Sequence, residues 1–179
     1  MTEPVLHQPR RLTLPDTRLQ FDSGAPELDQ WFKKFAWENM QAGNAVTYVM
    51  FLGETLAGYY SLSAAAVRKD ELPHGLSARR PASTPCILLA RFAIDATLQG
   101  RGLGSAMLHD AVNRAANASH SIGAAALLVH CRDELAKDFY TKHAEFLELN
   151  SNSLHLWLPD ESNPSSIWLT PALTEVTGR

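Results

Sequence analysis

The stretch Ile94-Asp95-Ala96-Thr97-Leu98-Gln99-Gly100-Arg101-Gly102-Leu103-Gly104-Ser105 decides the fold of this chain: an apolar strand ends, a short turn follows, and alternating glycines open a helix. Glycines at a helix start let a ligand approach the backbone closely and leave the first-turn N–H groups pointing outward. Reinforced by the helix dipole, those groups form an anion site suited to a pyrophosphate. Arg101 adds a fixed positive charge beside it. The spacing Gly100-x-Gly-x-Gly differs from the G-x-G-x-x-G of dinucleotide folds, and no acidic residue follows a second strand about twenty residues on. The Lys-Ser/Thr pair of a P-loop is also missing.

Immediately upstream, Ile87–Ile94 reads as a mostly apolar strand covered on both faces. Before it, Val46–Phe51 alternates in a run rich in β-branched and aromatic residues, Gly53-Glu54 turns, and Leu56–Ser63 returns, which predicts a hairpin. Arg68–Pro85, with Pro73, Gly75, Pro81 and Pro85, reads as a long loop of the kind that is functional or disordered. Near the start, a short strand is expected around Arg10–Leu14. Pro26 then opens a helix, with Glu27 near the positive end of its dipole. Leu28, Trp31, Phe32, Phe35 and Ala36 recur at helical steps and predict one buried face.

Downstream of the glycines, Gly102–Ala118 is a helix with Leu103, Met107, Leu108, Ala111, Val112 and Ala115 on its apolar side. Ala124–Val129 reads as a buried strand. Asp133–His143 reads as a helix whose end charges suit its dipole, and Phe146–Leu149 with Ser153–Leu158 as a closing strand pair. The tail from Pro159 carries Ile167-Trp168-Leu169, expected to dock on the body. No repeat or linker divides the chain. The expected organisation is one domain over residues 1–179, with a core at about 10–158 and a tail at 159–179.

Composition sets the class. A chain of 179 residues, 45% hydrophobic and 20% charged, fits one globular domain. No apolar run approaches the length of a spanning helix, and Met1–Leu6 lacks the basic-then-apolar pattern of a secretory signal, so the cytoplasm is the expected location. Cys86 and Cys131 have no metal-ligand spacing, and neither do His109, His120, His130 and His155; no metal is expected. A net charge of −3 does not advertise nucleic-acid binding. Up to Arg101, however, 11 Lys/Arg stand against 10 Asp/Glu, so the acidic excess lies beyond. Arg10-Arg11, Lys33-Lys34, Arg68-Lys69 and Arg79-Arg80 remain as local basic pairs, each of which a solvated surface also explains.

Gln99-x-x-Gly102-x-Gly104 after an apolar strand resembles the pyrophosphate loop of GNAT N-acetyltransferases. Leu127-Leu128-Val129-His130 followed by Ala136-Lys137-Asp138-Phe139-Tyr140 extends the resemblance, in the family's order and at similar distances. Phe21-Asp22-Ser23-Gly24-x-x-Glu27-Leu28-x-x-Trp31-Phe32, Gly58-Tyr59-Tyr60-Ser61-Leu62 and Leu89-Ala90-Arg91-Phe92-Ala93-Ile94-Asp95 look like the acetyltransferase toxins of type II toxin–antitoxin pairs. The resemblance covers about Leu14 to Leu158.

It implies an α/β (α+β) GNAT fold: a mixed, mostly antiparallel twisted sheet with a splayed parallel centre, flanked by helices. It implies acetyl-CoA as cosubstrate. The backbone of Phe92, Ala93 and Ile94 would hold the pantetheine, Gln99, Gly100, Arg101, Gly102, Leu103, Gly104 and Ser105 the pyrophosphate, and Phe139 would line the groove. Tyr140 would give a proton to the departing thiolate. Phe139 and Tyr140 also align with Leu135 and Ala136 at helical steps, as core residues would. For Phe139 a place in the core and cofactor contact are equal and compatible readings. For Tyr140 function is favoured, because a buried phenol needs a partner and the departing thiolate would be one.

The same resemblance implies aminoacyl-tRNA as acceptor, a ribbon-helix-helix antitoxin and a homodimer. Lys33, Lys34, Arg79, Arg80 and Arg91 are the candidate acceptor-binding residues; Arg91, inside a strand, has either a structural carboxylate or the substrate as its partner. Two departures stand against the pattern. The family's glycine after Phe-Tyr is missing from Tyr140-Thr141-Lys142-His143-Ala144-Glu145-Phe146, and the pI near 6.1 is acidic for a tRNA-binding protein. Acetylation of a small amine or a protein N-terminus, or acetyl-CoA binding without turnover, are the rival readings.

Overall fold

The computed structural model describes residues 2–160. The expected docking of Ile167-Trp168-Leu169 lies outside them. The strands are β1 (Arg10–Arg11), β2 (Val46–Leu52), β3 (Thr55–Arg68), β4 (Ser83–Ile94), β5 (Ala126–His130), β6 (Leu147–Leu149) and β7 (Asn152–Pro159). The helices are α1 (Pro26–Lys34), α2 (Ala36–Gln41), α3 (Leu103–Ile122) and α4 (Glu134–His143). The strands form one mixed sheet in the order β1-β2-β3-β4-β5-β7-β6. By compactness the chain falls into two units, one of residues up to Ser63 with Ala90–Ala111, the other of Ala64–Leu89 with Val112 onward.

In the first unit the expected hairpin forms. β2 and β3 pair antiparallel around a turn in which Gly53 takes φ 60, with an irregularity between Met50 and Phe51. Proline at the first turn starts α1 as predicted, but the single long helix does not form. Phe35 takes φ −123, the helix restarts at Ala36, and the Phe35 side chain is 48% exposed. Helical spacing had placed it on the buried face; the break rotates it out. Phe32 and Ala36 are fully buried with Phe21, Leu12, Val49, Leu56, Tyr59 and Ala93. Burying a phenylalanine fully stabilises a fold by roughly 1.5–3 kcal/mol, so Phe21 and Phe32 anchor this cluster.

In the second unit β4 and β5 supply the parallel centre, with Ile87, Leu88 and Leu89 opposite Leu127, Leu128 and Val129. β7 pairs antiparallel with β5 on one side and β6 on the other. Val67, Leu72, Leu128, Leu149 and Trp157 form its core. The segment read as a long loop is shorter and fastened. A single 3-10 turn covers Lys69–Glu71 and β4 begins at Ser83, while ahead of the segment β3 runs on through Ala64-Ala65-Ala66 to Arg68. Leu72 is buried, and Asn150 holds the segment twice, donating its N–H to the Glu71 carbonyl at 2.9 Å and its side-chain amide to the Leu72 carbonyl at 2.7 Å.

Candidate active site

β4 ends at Ile94, and Asp95 turns the chain. Its carboxylate accepts from the Thr97 N–H at 3.0 Å and the Thr97 hydroxyl at 2.6 Å, and caps a 3-10 turn over Ala96–Leu98. Burial pushes the Asp95 carboxyl up, but the bonds from Thr97 and from the Asp22 N–H outweigh it and hold the group below its ordinary range. Asp95 is therefore a charged anchor that ties this turn to the Asp22 backbone.

Gly100 and Gly102 follow at φ 77 and 78. That left-handed backbone favours glycine, and a Cβ built at either position meets no atom within 4 Å. The first helical bond of α3 runs from the Ala106 N–H to the Gly102 carbonyl at 3.2 Å, so the N–H groups before Ala106 precede the helix's own ladder. Conformation, open space and helix dipole together fit a pyrophosphate here. Arg101 is exposed beside the turn, whereas Leu103 points its side chain into the core at 8% exposure and has only backbone to offer.

Gln99 is committed to the protein. Its side-chain amide donates to the Ser23 carbonyl at 3.1 Å and the Ile94 carbonyl at 3.0 Å. The Ala96 N–H donates to the Asp22 carbonyl at 2.7 Å, and the Asp22 N–H to the Asp95 carboxylate at 3.2 Å. The turn before α1 is thus stitched to the glycine-rich loop. Above it, β4 packs tightly: a Cβ on Gly58 would stand 2.7 Å from the Ala93 carbonyl oxygen. Phe92, Ala93 and Ile94 belong to the same unit as the loop.

Phe139 and Tyr140 lie on α4, in the other unit. The Asp133 side chain caps this helix, accepting from the Ala136 N–H at 2.8 Å. Tyr140 is buried, with Phe146 edge-on at 5.9 Å, and burial pushes its phenol well up, so the hydroxyl keeps its proton at neutral pH. Leu135 is 80% exposed, which removes it from the core stripe on which it had been aligned with Phe139. The missing glycine is replaced in another way. Ala144 leaves the helix in extended backbone, and the His143 ring donates through Nδ1 to the Phe139 carbonyl at 2.6 Å. A histidine covering a terminal carbonyl does the work of the left-handed cap.

Cys131 stays protonated, since burial pushes its thiol up to about 11, and a nucleophilic role does not suit it. No group of three or more potential metal ligands occurs among the described residues. His130 and His155 stack on each other at 3.9 Å across β5 and β7.

The basic pairs separate. Arg10 grips Asp16 through two bonds, at 2.8 and 2.9 Å, and Arg68 pairs with Asp70, so both are used internally. Lys33 and Lys34 are exposed at the end of α1. Arg79 is exposed and takes φ 65, a left-handed conformation uncommon for a side chain of its size. Arg91 rests on the Trp31 ring, its Cζ 5.1 Å from the centroid.

Residues 10–146 match the model of the acetyltransferase (GNAT) family. A tRNA-acetylating toxin of Mycobacterium tuberculosis is 37% identical over 150 residues, covering 84% of this chain and 90% of the relative. The structure of AtaT complexed with acetyl-methionyl-tRNAfMet superposes with a TM-score of 0.77 at 25% identity, covering 88% of this chain and 96% of AtaT. A tyrosine-to-phenylalanine variant of AtaT bound to the C-terminus of the antitoxin AtaR and acetyl-CoA gives 0.71 at 25% identity, with 88% and 95% covered.

Proposed function

We propose, from the premise that this chain belongs to the acetyltransferase (GNAT) family, that it is a toxin that N-acetylates the amino group of aminoacyl-tRNA and so blocks translation. The observation that carries the reading is the glycine-rich turn, where two left-handed glycines face open space before the N-terminus of α3. The tuberculosis toxin and AtaT, each similar over most of its length, supply the acceptor class.

Acetyl-CoA supplies an activated acetyl thioester when bound. The backbone N–H groups from Gly100 to Ser105, with Arg101, hold its pyrophosphate, and the backbone of Phe92, Ala93 and Ile94 its pantetheine. The parallel register with β5 stops at Leu89 while β4 runs on to Ile94, which supports this use of the strand. Phe139 lines the groove, and Tyr140 holds a proton at Oη for the leaving sulfur. An α-amine with a pKa of about 8 is partly unprotonated at neutral pH, so the acceptor needs no strong base.

Lys33, Lys34, Arg79, Arg80 and Arg91 contact the tRNA. Local potential governs phosphate contacts, so the net charge of −3 does not forbid them. The reading places the site of action in the cytoplasm, where charged tRNA is found; no helix among the described residues is long and apolar enough to cross a membrane. Likeness to an antitoxin-bound AtaT favours regulation by an antitoxin. The reading takes that antitoxin to be of the ribbon-helix-helix type and the toxin to be a homodimer of one-domain chains.

The acidic pI near 6.1 favours the second reading, a small amine or peptide as acceptor. Labelled acetyl-CoA offered with charged tRNA, uncharged tRNA, free amino acids and peptides in parallel separates the two. Label on charged tRNA alone, released when the ester is hydrolysed, is the expected result. Preferential labelling of a peptide or small amine would remove the toxin reading and leave the acetyltransferase standing.

A further inference from the structure

Arg10 and Arg91 each lay a guanidinium on an aromatic ring, 4.9 Å from Phe51 and 5.1 Å from Trp31 respectively. Only their second partners differ. Arg10 also forks onto Asp16. Arg91, part-buried in β4, donates one N–H to the Ala90 carbonyl at 2.8 Å, and among the described residues no carboxylate pairs with it. Part-buried cations are normally matched by an acid. Asp29, whose charge is felt at the same Tyr59 phenol as that of Arg91, is taken up by Ser23, accepting from its N–H at 3.0 Å and its hydroxyl at 2.6 Å.

The platform under Arg91 is held in place. Trp31 stacks on Tyr59 at 6.1 Å and 13°, and the Tyr59 hydroxyl donates to the Leu28 carbonyl at 2.7 Å, one turn back on α1. A guanidinium carries five N–H donors in a rigid fork, and the Ala90 carbonyl takes up one of Arg91's. Lys34, a helical turn beyond Trp31 on α1, is exposed and extends the positive field.

We propose that Arg91, seated on Trp31, is a binding site for a phosphodiester at the single-stranded 3′ end of the acceptor tRNA. This rests on aminoacyl-tRNA being the acceptor. An oxyanion completes the fork, and the 3′ end is the part of the acceptor that must reach the site, because it carries the amine. The planar cation also presents a surface on which an unstacked base can lie.

The test compares two acceptors of the same amino acid, charged tRNA and a simple alkyl ester without phosphate, with wild type, Arg91→Gln, Arg91→Lys and Trp31→Phe. For Arg91→Gln, KM for charged tRNA should rise about tenfold, the size of one lost charge-assisted anchor, with kcat held. The slope of log KM against log salt should fall by about 0.7, the value for one single-strand phosphate contact. Kinetics on the ester and acetyl-CoA affinity should not follow. Arg91→Lys should keep the salt slope while raising KM, because charge survives and the fork does not; it carries the test if the glutamine variant fails to fold. Trp31→Phe should raise KM for charged tRNA with the salt slope kept. Equal losses on ester and tRNA, or an unchanged salt slope in Arg91→Gln, overturn the site. Wild type that labels the ester and not charged tRNA overturns the acceptor reading beneath it, and the wild-type arm alone shows this.

Discussion

Gln99 donates its side-chain amide to the Ser23 carbonyl at 3.1 Å, tying the entrance of the glycine-rich loop to the turn that starts α1. The same amide reaches the Ile94 carbonyl at 3.0 Å. One side chain thereby fixes the end of β4, the loop and the approach to the helix that carries Trp31, Lys33 and Lys34.

Gln99→Ala removes both bonds at the exposed edge of the loop, each worth about 0.5–1.5 kcal/mol net. Calorimetry should show weaker acetyl-CoA binding in a variant that still folds, because the loop loses its brace and no ligand contact is deleted. Undiminished affinity would mean that the Ala96–Asp22 and Asp22–Asp95 bonds hold the loop unaided.

The elements around this loop were legible because their signals are local. Alternation marked β2, Pro26 marked the start of α1, and the glycines marked α3. The brace was not legible, since Ser23 and Gln99 are far apart in sequence and glutamine offers no pattern of its own. The same holds for Arg91 on Trp31, whose meeting depends on how α1 lies on the sheet. The break at Phe35 escaped because the apolar spacing runs straight through it. The extension of β3 escaped because Ala64-Ala65-Ala66 has poor strand propensity and is held as a strand by its neighbours. His143 as a helix cap was hidden by expecting glycine.

Gly58→Ala should be among the most damaging of conservative changes. Its new Cβ would meet the Ala93 carbonyl oxygen at 2.7 Å and the Ile94 Cδ1 at 2.8 Å, and the carbonyl is backbone that cannot swing aside. Overpacking of this sort costs about 1–3 kcal/mol. The displaced atoms belong to the strand proposed to hold pantetheine. A lowered melting temperature with weakened acetyl-CoA binding is expected, and a variant of native stability and affinity would show that β4 can shift freely.

Tyr140→Phe should reduce turnover by roughly a hundredfold or more, the usual contribution of a positioned acid. The ring stays against Phe146 and only the hydroxyl is lost, so acetyl-CoA affinity should hardly change. Parallel measurement of the dissociation constant and the turnover separates the effects. Near-normal turnover would show that the sulfur leaves without this proton.

Acid should weaken the fold through the stacked histidines before the carboxylates matter. Burial, and then the neighbouring His155, hold the His130 imidazole below its ordinary value of 6.5. The unfolded chain therefore binds a proton at a pH where the native chain does not, and stability rises with pH across that window. Read downward, the contribution is intact above 6.5 and is lost as pH falls from there through the lower native value. Two imidazolium rings at 3.9 Å would also repel each other across β5 and β7. Asp16 and Asp95, both held below the ordinary carboxylate range, lose their contributions only in stronger acid, near and below about pH 4. Melting curves between pH 7.5 and 5 should therefore show a falling midpoint in wild type and a flatter one in His130→Gln. Parallel falls in the two proteins would assign the acid sensitivity to groups other than this pair.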